Sequence, residues 1–302
     1  MNADTYHSRH QGYLGTVVDL AIRSRAPALA TRGEQLMIQE LERLEAIFNV
    51  FDDASEISLL KVGKGDGGPE LREVWDMAER WRVLSGGAFS ARAGRIMRLW
   101  ADAAELDKRP DRADLADAVD DLRIEQAEDL GDIRTSLPLD LNAIAKGWIV
   151  DKMAGVALAS GMIDGINVNA GGDLLHICEE PLVVGIENPH RPYDNEPPLV
   201  RITLQTGAVA TSGGARRGWT IDGTWYSHVI DPRTGEPVDH VAQASVVAPH
   251  ASRADAVATI LTVMAPHEGA AFADSLGDVG FMLVGSDGSI TKNGYWKSRE
   301  IN

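Results

Sequence analysis

Asp255 and Thr259 stand four residues apart in residues 244–264, ASVVAPHASRADAVATILTVM, where an apolar strand over 245–248 runs through Pro-His-Ala into a helix. That spacing puts both side chains on one helix face near its start. A carboxylate beside a hydroxyl offers two hard oxygen ligands for Mg²⁺, close to helix amides that favour phosphate. The same letters have a structural reading: Ser252-Arg-Ala-Asp255 fits a capping box, and Thr259 could bond back to its own helix.

A second chemical stretch is Tyr226-Ser-His228-Val-Ile-Asp231-Pro-Arg-Thr-Gly235. A histidine on a strand before an Asp-Pro turn could hold a base beside a cleft. It could equally be a satisfied core histidine above a plain hairpin turn. Asp140, Asn142 and Lys146 could anchor a polar ligand, or serve as an N-cap and two surface residues. Gly86-Gly87, Gly171-Gly172, Gly213-Gly214 and Gly235 allow close backbone approach and amide nests for anions, although glycine pairs also make ordinary turns. Arg216-Arg217, beside Ser212-Gly213, could face phosphate. No dinucleotide or P-loop glycine pattern, Cys/His zinc spacing or GxSxG elbow occurs.

The elements that must position these groups follow from periodicity. A strand is expected over 14–23. A helix opens at the capping box Thr31-Arg-Gly-Glu34 and ends near residue 51, with a polar loop over 52–56. Pro69 starts a second helix that reaches about residue 84, Ser85-Gly-Gly-Ala-Phe89 breaks it, and a third ends near 104. Residues 105–135 read as one short exposed helix, 112–122, and a connector. After Pro138-Leu-Asp140, Leu141, Ile144, Ala145, Trp148, Ile149, Met153 and Val156 hold a helical period until Gly161. Strands are expected over 166–169, 174–178, 182–187, 200–205, 208–211, 219–221 and 225–230, with a proline-rich loop at 188–198. A helix over 266–276 and a hairpin across Gly285-Ser-Asp-Gly288 close the chain. Helices gathered early and mostly antiparallel strands later indicate an α+β architecture.

The chain has 302 residues, and its 44% hydrophobic and 25% charged content suit a globular enzyme with a large core. A net charge of −16 argues against nucleic acid as a partner, while leaving room for an anionic small ligand in a locally cationic cleft. The single cysteine, Cys178, ends an apolar run and is expected to be a buried structural thiol in a reducing compartment. The seven tryptophans are scattered, and most read as core or lobe-interface residues. The first residues show no basic-then-apolar signal and no segment is long enough for a membrane span, so a cytoplasmic location is expected.

Taken in order, seven stations resemble the FAD:protein FMN transferase (ApbE) family. They are Phe51-Asp-Asp-Ala-Ser-Glu-Ile-Ser58, Ser85-Gly-Gly-Ala-Phe89, Asp140-Leu-Asn-Ala-Ile-Ala-Lys-Gly147 with Asp151, and Asn169-Ala-Gly-Gly-Asp173, then Ala210-Thr-Ser-Gly213, the 226–235 stretch, and Ala254-Asp255 with Thr259. The likeness extends from Gly15-Thr16 to about Val284. It implies a single domain over 1–302, of two intertwined lobes around a central cleft, that moves FMN from FAD to a Thr or Ser hydroxyl of an acceptor flavoprotein and releases AMP. It further implies Mg²⁺ held by Asp255, Thr259 and a backbone carbonyl at Ala143, and His228 as the base for the acceptor hydroxyl. Ala88, Phe89, Ser90, Asp140, Lys146, Gly171, Gly172, Ser212 and Gly213 become the expected FAD contacts. Leu14 stands where the family usually has Met, Lys61 where Asn is common, Ser90 in place of Asp, and Ala215 in place of an aromatic residue. Lys61 and Ser90 are expected to change affinity or pose at the dinucleotide cleft. Hydrolysis of FAD to FMN and AMP, or flavin binding without catalysis, are the alternatives.

Overall fold

The computed structural model describes residues 3–127, 133, 137–193 and 195–301. The chain opens on a hairpin, β1 (Asp4–Tyr13) and β2 (Thr16–Ser24). Val18, Leu20, Ile22 and Ser24 alternate into the core along β2, which makes it legible. The β1 residues are polar and mostly exposed, so this strand has no apolar alternation to reveal it. Helix α1 (Pro27–Phe48) begins at a first-turn proline, and the Thr31–Glu34 box lies inside it rather than at its start.

Short α2 (Glu56–Lys61) is capped by Ser55, whose hydroxyl accepts from the Ser58 amide at 3.3 Å. Helices α3 (Pro69–Leu84) and α4 (Gly94–Glu105) follow. Helix α5 (Arg112–Ala127) corrects the expectation of an exposed helix. Leu115, Ala118, Val119 and Leu122 form an apolar stripe buried in one cluster with Ile96, Trp100, Ile221 and Ile230. The connector expected after it, up to residue 135, lies almost wholly outside the described residues.

Helix α6 (Asn142–Ala159) is followed by β3 (Gly165–Ala170), β4 (Asp173–Ile186) and β5 (Val200–Gly213). Each of the last two was expected as two strands. In β4 the segment Glu179-Glu180-Pro181 is a shift in register between Ile177 and Leu182, where a bulge tolerates proline without ending the strand. Cys178 sits beside this bulge, half-buried rather than buried, with its Sγ 3.2 Å from Glu180 Oε2. The hairpin β6 (Gly218–Ile221) and β7 (Thr224–Ser227) stands apart as a two-stranded sheet. Then come β8 (Val241–Ala248), α7 (Ala251–Val263), α8 (Pro266–Ser275), β9 (Gly280–Gly285), β10 (Ile290–Lys292), α9 (Gly294–Lys297) and β11 (Glu300–Ile301).

The main sheet is antiparallel throughout, in the order β1-β2-β3-β4-β5-β8-β9-β10, with β11 beside the first residues of β5. Helices α1, α6 and α7 bury their apolar faces in the main core together with β2, β3 and β8. A second cluster forms between Val184, Ile202, Leu204, Val247 and Met282 and the fully buried Trp296 of α9. A third cluster joins α4 and α5 under β6 and β7. The expected α+β architecture, with helices gathered early and antiparallel strands later, is what the chain forms. No helix among the described residues is long and apolar enough to cross a membrane.

Candidate active site

Helices α6 and α7 pack so closely that a Cβ on Gly147 would lie 2.5 Å from the Ala251 carbonyl oxygen and 2.8 Å from the Ser252 Cα. Only glycine permits that approach. At this joint Asp255 Oδ2 accepts from the Gly147 amide at 3.2 Å. In a regular helix the same amide would point at the Ala143 carbonyl, so the carboxylate and that carbonyl are drawn toward one spot.

The capping reading of Asp255 is therefore overturned. The N-cap of α7 is His250, without a side-chain cap bond, and the orphan amides are met from another helix. Asp151 of α6 accepts from the Ala251 amide at 2.8 Å, the Ser252 amide at 3.0 Å and the Ser252 hydroxyl at 2.7 Å. With its first turn satisfied this way, α7 leaves Asp255 to face the cleft.

That cleft has a volume of about 1010 Å³. Ala88, Phe89, Ser90, Asp140, Ala143, Lys146, Gly171, Gly172, Ser212, Gly213, His228, Asp255 and Thr259, the residues expected to bind FAD and metal and to act as base, line it together, whereas Gly86-Gly87, Gly214 and Gly235 lie outside it. Leu14 and Ala215 line it as well, whereas Lys61 is an exposed residue of α2 outside the lining. The expectation that Lys61 reaches the dinucleotide cleft is corrected: α2 turns that side chain to solvent.

Loop geometry explains several of the lining residues. Gly171 has φ +63° and Gly172 φ +103° in the tight turn joining β3 to β4, and the Gly172 amide donates to Asn169 Oδ1 at 3.2 Å. Phe89 is held by its amide bond to the Ser85 hydroxyl at 3.1 Å, and Ser90 accepts from the Arg92 amide at 3.2 Å. The Asp140 amide donates to Ala91 at 2.7 Å, tying the start of α6 to the 85–93 segment. The Asp140 carboxylate accepts from the Asn142 amide at 3.0 Å.

The electrostatics centre on three side chains. Lys146 Nζ lies 2.5 Å from Asp173 Oδ2, an acidic partner that the sequence read only as the end of a glycine turn. Burial works to discharge Lys146, but Asp173 and Asp255 together hold its ammonium above its ordinary value. Burial, with Asp173 adding to it, pushes the Asp255 carboxyl up to about 8. A divalent cation at Asp255 would offset that cost of charge. No group of three or more His, Cys, Asp or Glu side chains forms a metal cage among the described residues. One carboxylate, one hydroxyl and one carbonyl suit Mg²⁺, which takes few protein ligands and completes its shell with substrate phosphate and water.

His228 sits one residue past the end of β7, not within the strand. Its Nδ1 donates to the Arg217 carbonyl at 3.0 Å, so in the neutral ring Nε2 is the basic nitrogen. Burial holds the ring below its ordinary pKa of 6.5, opposed by its bond to the Arg217 carbonyl and by Asp140, with the charges of Arg217 and Lys146 pressing the same way as burial. The turn after it is tight: the Gly235 amide donates to the Asp231 carbonyl at 2.8 Å, and Arg233 closes a fork on the Asp231 carboxylate at 2.8 Å. Of the two arginines expected to face phosphate, Arg216 pairs with Glu187 at 2.7 Å, and Arg217 orients the histidine through its backbone.

The chain matches the ApbE family over residues 14–283. It is 28% identical over 286 residues to the FAD:protein FMN transferase of Treponema pallidum (strain Nichols), covering 85% of this chain and 78% of that one. To the FAD:protein FMN transferase of Vibrio cholerae serotype O1 it is 31% identical over 224 residues, covering 70% and 65%. Among solved structures, the ApbE protein of Thermotoga maritima has a TM-score of 0.85 at 24% identity, covering 99% of this chain and 100% of that one. The flavin transferase ApbE of Vibrio cholerae has a TM-score of 0.77 at 23% identity, covering 98% and 99%. A match that runs from residue 14 to residue 283, on a fold shared nearly end to end, makes this chain a member of the ApbE family.

Proposed function

We propose that the chain is a transferase that moves FMN from FAD to a Thr or Ser hydroxyl of an acceptor flavoprotein, releasing AMP, with residues 1–302 acting as one domain of two intertwined lobes. The observation that carries this reading is the convergence on one cleft of a basic imidazole nitrogen at His228, a buried carboxylate at Asp255 and the Lys146–Asp173 pair. The names of the relatives support it.

Phosphoryl transfer needs a positioned nucleophile and neutralised charge more than a covalent enzyme intermediate. His228 Nε2 takes the proton of the acceptor hydroxyl as its oxygen bonds to the flavin-side phosphorus. The bond from that phosphorus to the bridging oxygen breaks, and AMP departs with the oxygen and its electron pair. The Arg217 carbonyl keeps the imidazole turned the right way throughout and stabilises the imidazolium that forms. Lys146 supplies fixed positive charge, and the amides at Gly171-Gly172 and Ser212-Gly213 offer donors to phosphate oxygens. Mg²⁺, held by Asp255, Thr259 and the Ala143 carbonyl, would supply Lewis-acid stabilisation of the diphosphate.

Incubation with FAD and Mg²⁺, with and without a candidate acceptor, tests the reading. AMP that appears only with acceptor, alongside an acceptor heavier by one FMN, supports transfer. AMP without acceptor means hydrolysis, and bound FAD that stays intact means a binding protein.

A further inference from the structure

A second groove, of about 470 Å³, adjoins the cleft. Pro189, Ala215 and Ala242 line both, so the two are continuous. Ser227, the residue before His228, lines the groove, which thus ends beside the proposed base. Its walls mix apolar and polar groups: Val238, Val241 and the indole of Trp225 stand with Ser227, Ser286, Asp239 and His190 around the three shared residues.

Trp225 is an exception to the mostly buried tryptophans. It is 50% exposed on β7, although an indole is costly to leave in water. The ring is fixed by its Nε1 donating to the Gly214 carbonyl at 2.8 Å, so it is a preformed wall rather than a loose side chain. The turn at Ser286, whose amide donates to the His240 carbonyl at 3.1 Å, also lines the groove.

We propose that this groove docks the hydroxyl-bearing segment of the acceptor protein, in extended form, with an apolar side chain of that segment laid on Trp225. The inference rests on the transfer reading above: a hydroxyl carried by a protein must arrive with its neighbours in the chain. The groove adjoins the cleft and reaches the residue next to His228, with the Trp225 indole as its apolar wall and Ser227, Ser286 and Asp239 as polar partners for an extended backbone, whereas the large cleft is lined by the candidate FAD contacts. A partly exposed, immobilised indole at such a place has the character of a binding hot spot.

The test uses the full chain with FAD, Mg²⁺ and a library of twelve-residue peptides, each with one central Thr and randomised flanks. Flavinylation is read by mass and FAD binding by flavin fluorescence. The wild type is expected to modify peptides enriched in an apolar residue at one fixed offset from the Thr. Trp225→Ala, and independently Ser286→Trp, which would fill the groove with a bulky side chain, are expected to lower kcat/KM for those peptides about 10-fold or more, as for loss of an interface anchor. FAD affinity stays at the wild-type value in both, which also shows that both fold. If both variants bind FAD yet modify the same peptides at the wild-type rate, the groove is not the docking site while the transfer reading stands. If no peptide gains FMN although FAD binds, and AMP forms without a hydroxyl acceptor, the transfer reading fails and the groove assignment falls with it.

Discussion

The carboxylate of Asp255 reaches across a helix–helix joint to the amide of Gly147, 108 residues earlier in the chain, at 3.2 Å. This contact gathers the groups proposed to hold the cation, and it depends on the absence of a side chain at Gly147. Gly147→Ala would drive a methyl group into the Ala251 carbonyl and the Ser252 backbone. The expected cost is about 1–3 kcal/mol of stability from overpacking, with a raised Mg²⁺ requirement because α7 is displaced. Chemical denaturation and the Mg²⁺ dependence of AMP release check the two parts separately.

Asp151 satisfies the start of α7 in place of a local cap. Asp151→Ala leaves two amides and one hydroxyl without that partner. A loss of about 2 kcal/mol is expected, at the upper end for a helix cap. Turnover falls more than FAD binding, since α7 carries Asp255 and Thr259. Comparing the denaturation midpoint with kcat and KM for FAD reads both effects.

His228→Ala is expected to slow transfer roughly 10²–10⁴-fold, the range for a lost general base. In the native chain burial lowers the imidazole pKa below 6.5, so the neutral, proton-accepting ring is present at neutral pH. The rate should fall only on the acid side, with a midpoint under 6.5. A pH profile of kcat/KM at saturating Mg²⁺, where the cation keeps Asp255 ionised, checks this, and the limb should vanish in the alanine variant.

The Asp255 carboxyl is raised in the folded chain from 3.8 to about 8 by burial and by Asp173. Because folding favours its protonated form, the stability it contributes is fully present below about pH 4. That contribution is lost as pH rises toward 8. Thermal melts of metal-free protein should therefore show a larger drop between pH 6 and pH 8 than Asp255→Asn, which has no charge to bury. Added Mg²⁺ should raise the native melting temperature more at pH 8 than at pH 6, since the cation competes with a proton.

Much of the site was legible because its residues are local. Asp255 and Thr259 share a helix, and Gly171-Gly172 mark their turn. What escaped was what the fold brings from afar. Ser252-Arg-Ala-Asp255 carries a capping signature, yet the cap of α7 comes from Asp151, and nothing local says so. Asp173 reads as the end of a glycine turn until β4 sets it against Lys146. The polar β1 has no apolar face to announce it, and the bulge at Pro181 mimics a strand end. In α5 the dense charge obscured a narrow buried stripe at 115, 118, 119 and 122.

The most direct test of the site is diffraction from crystals soaked in FAD and Mn²⁺, with the manganese located by its anomalous signal. The expected result is one peak bounded by the Asp255 carboxylate, the Thr259 hydroxyl and the Ala143 carbonyl, facing the FAD diphosphate. A peak elsewhere in the cleft, or bound FAD with no peak and Asp255 still on the Gly147 amide, would contradict it.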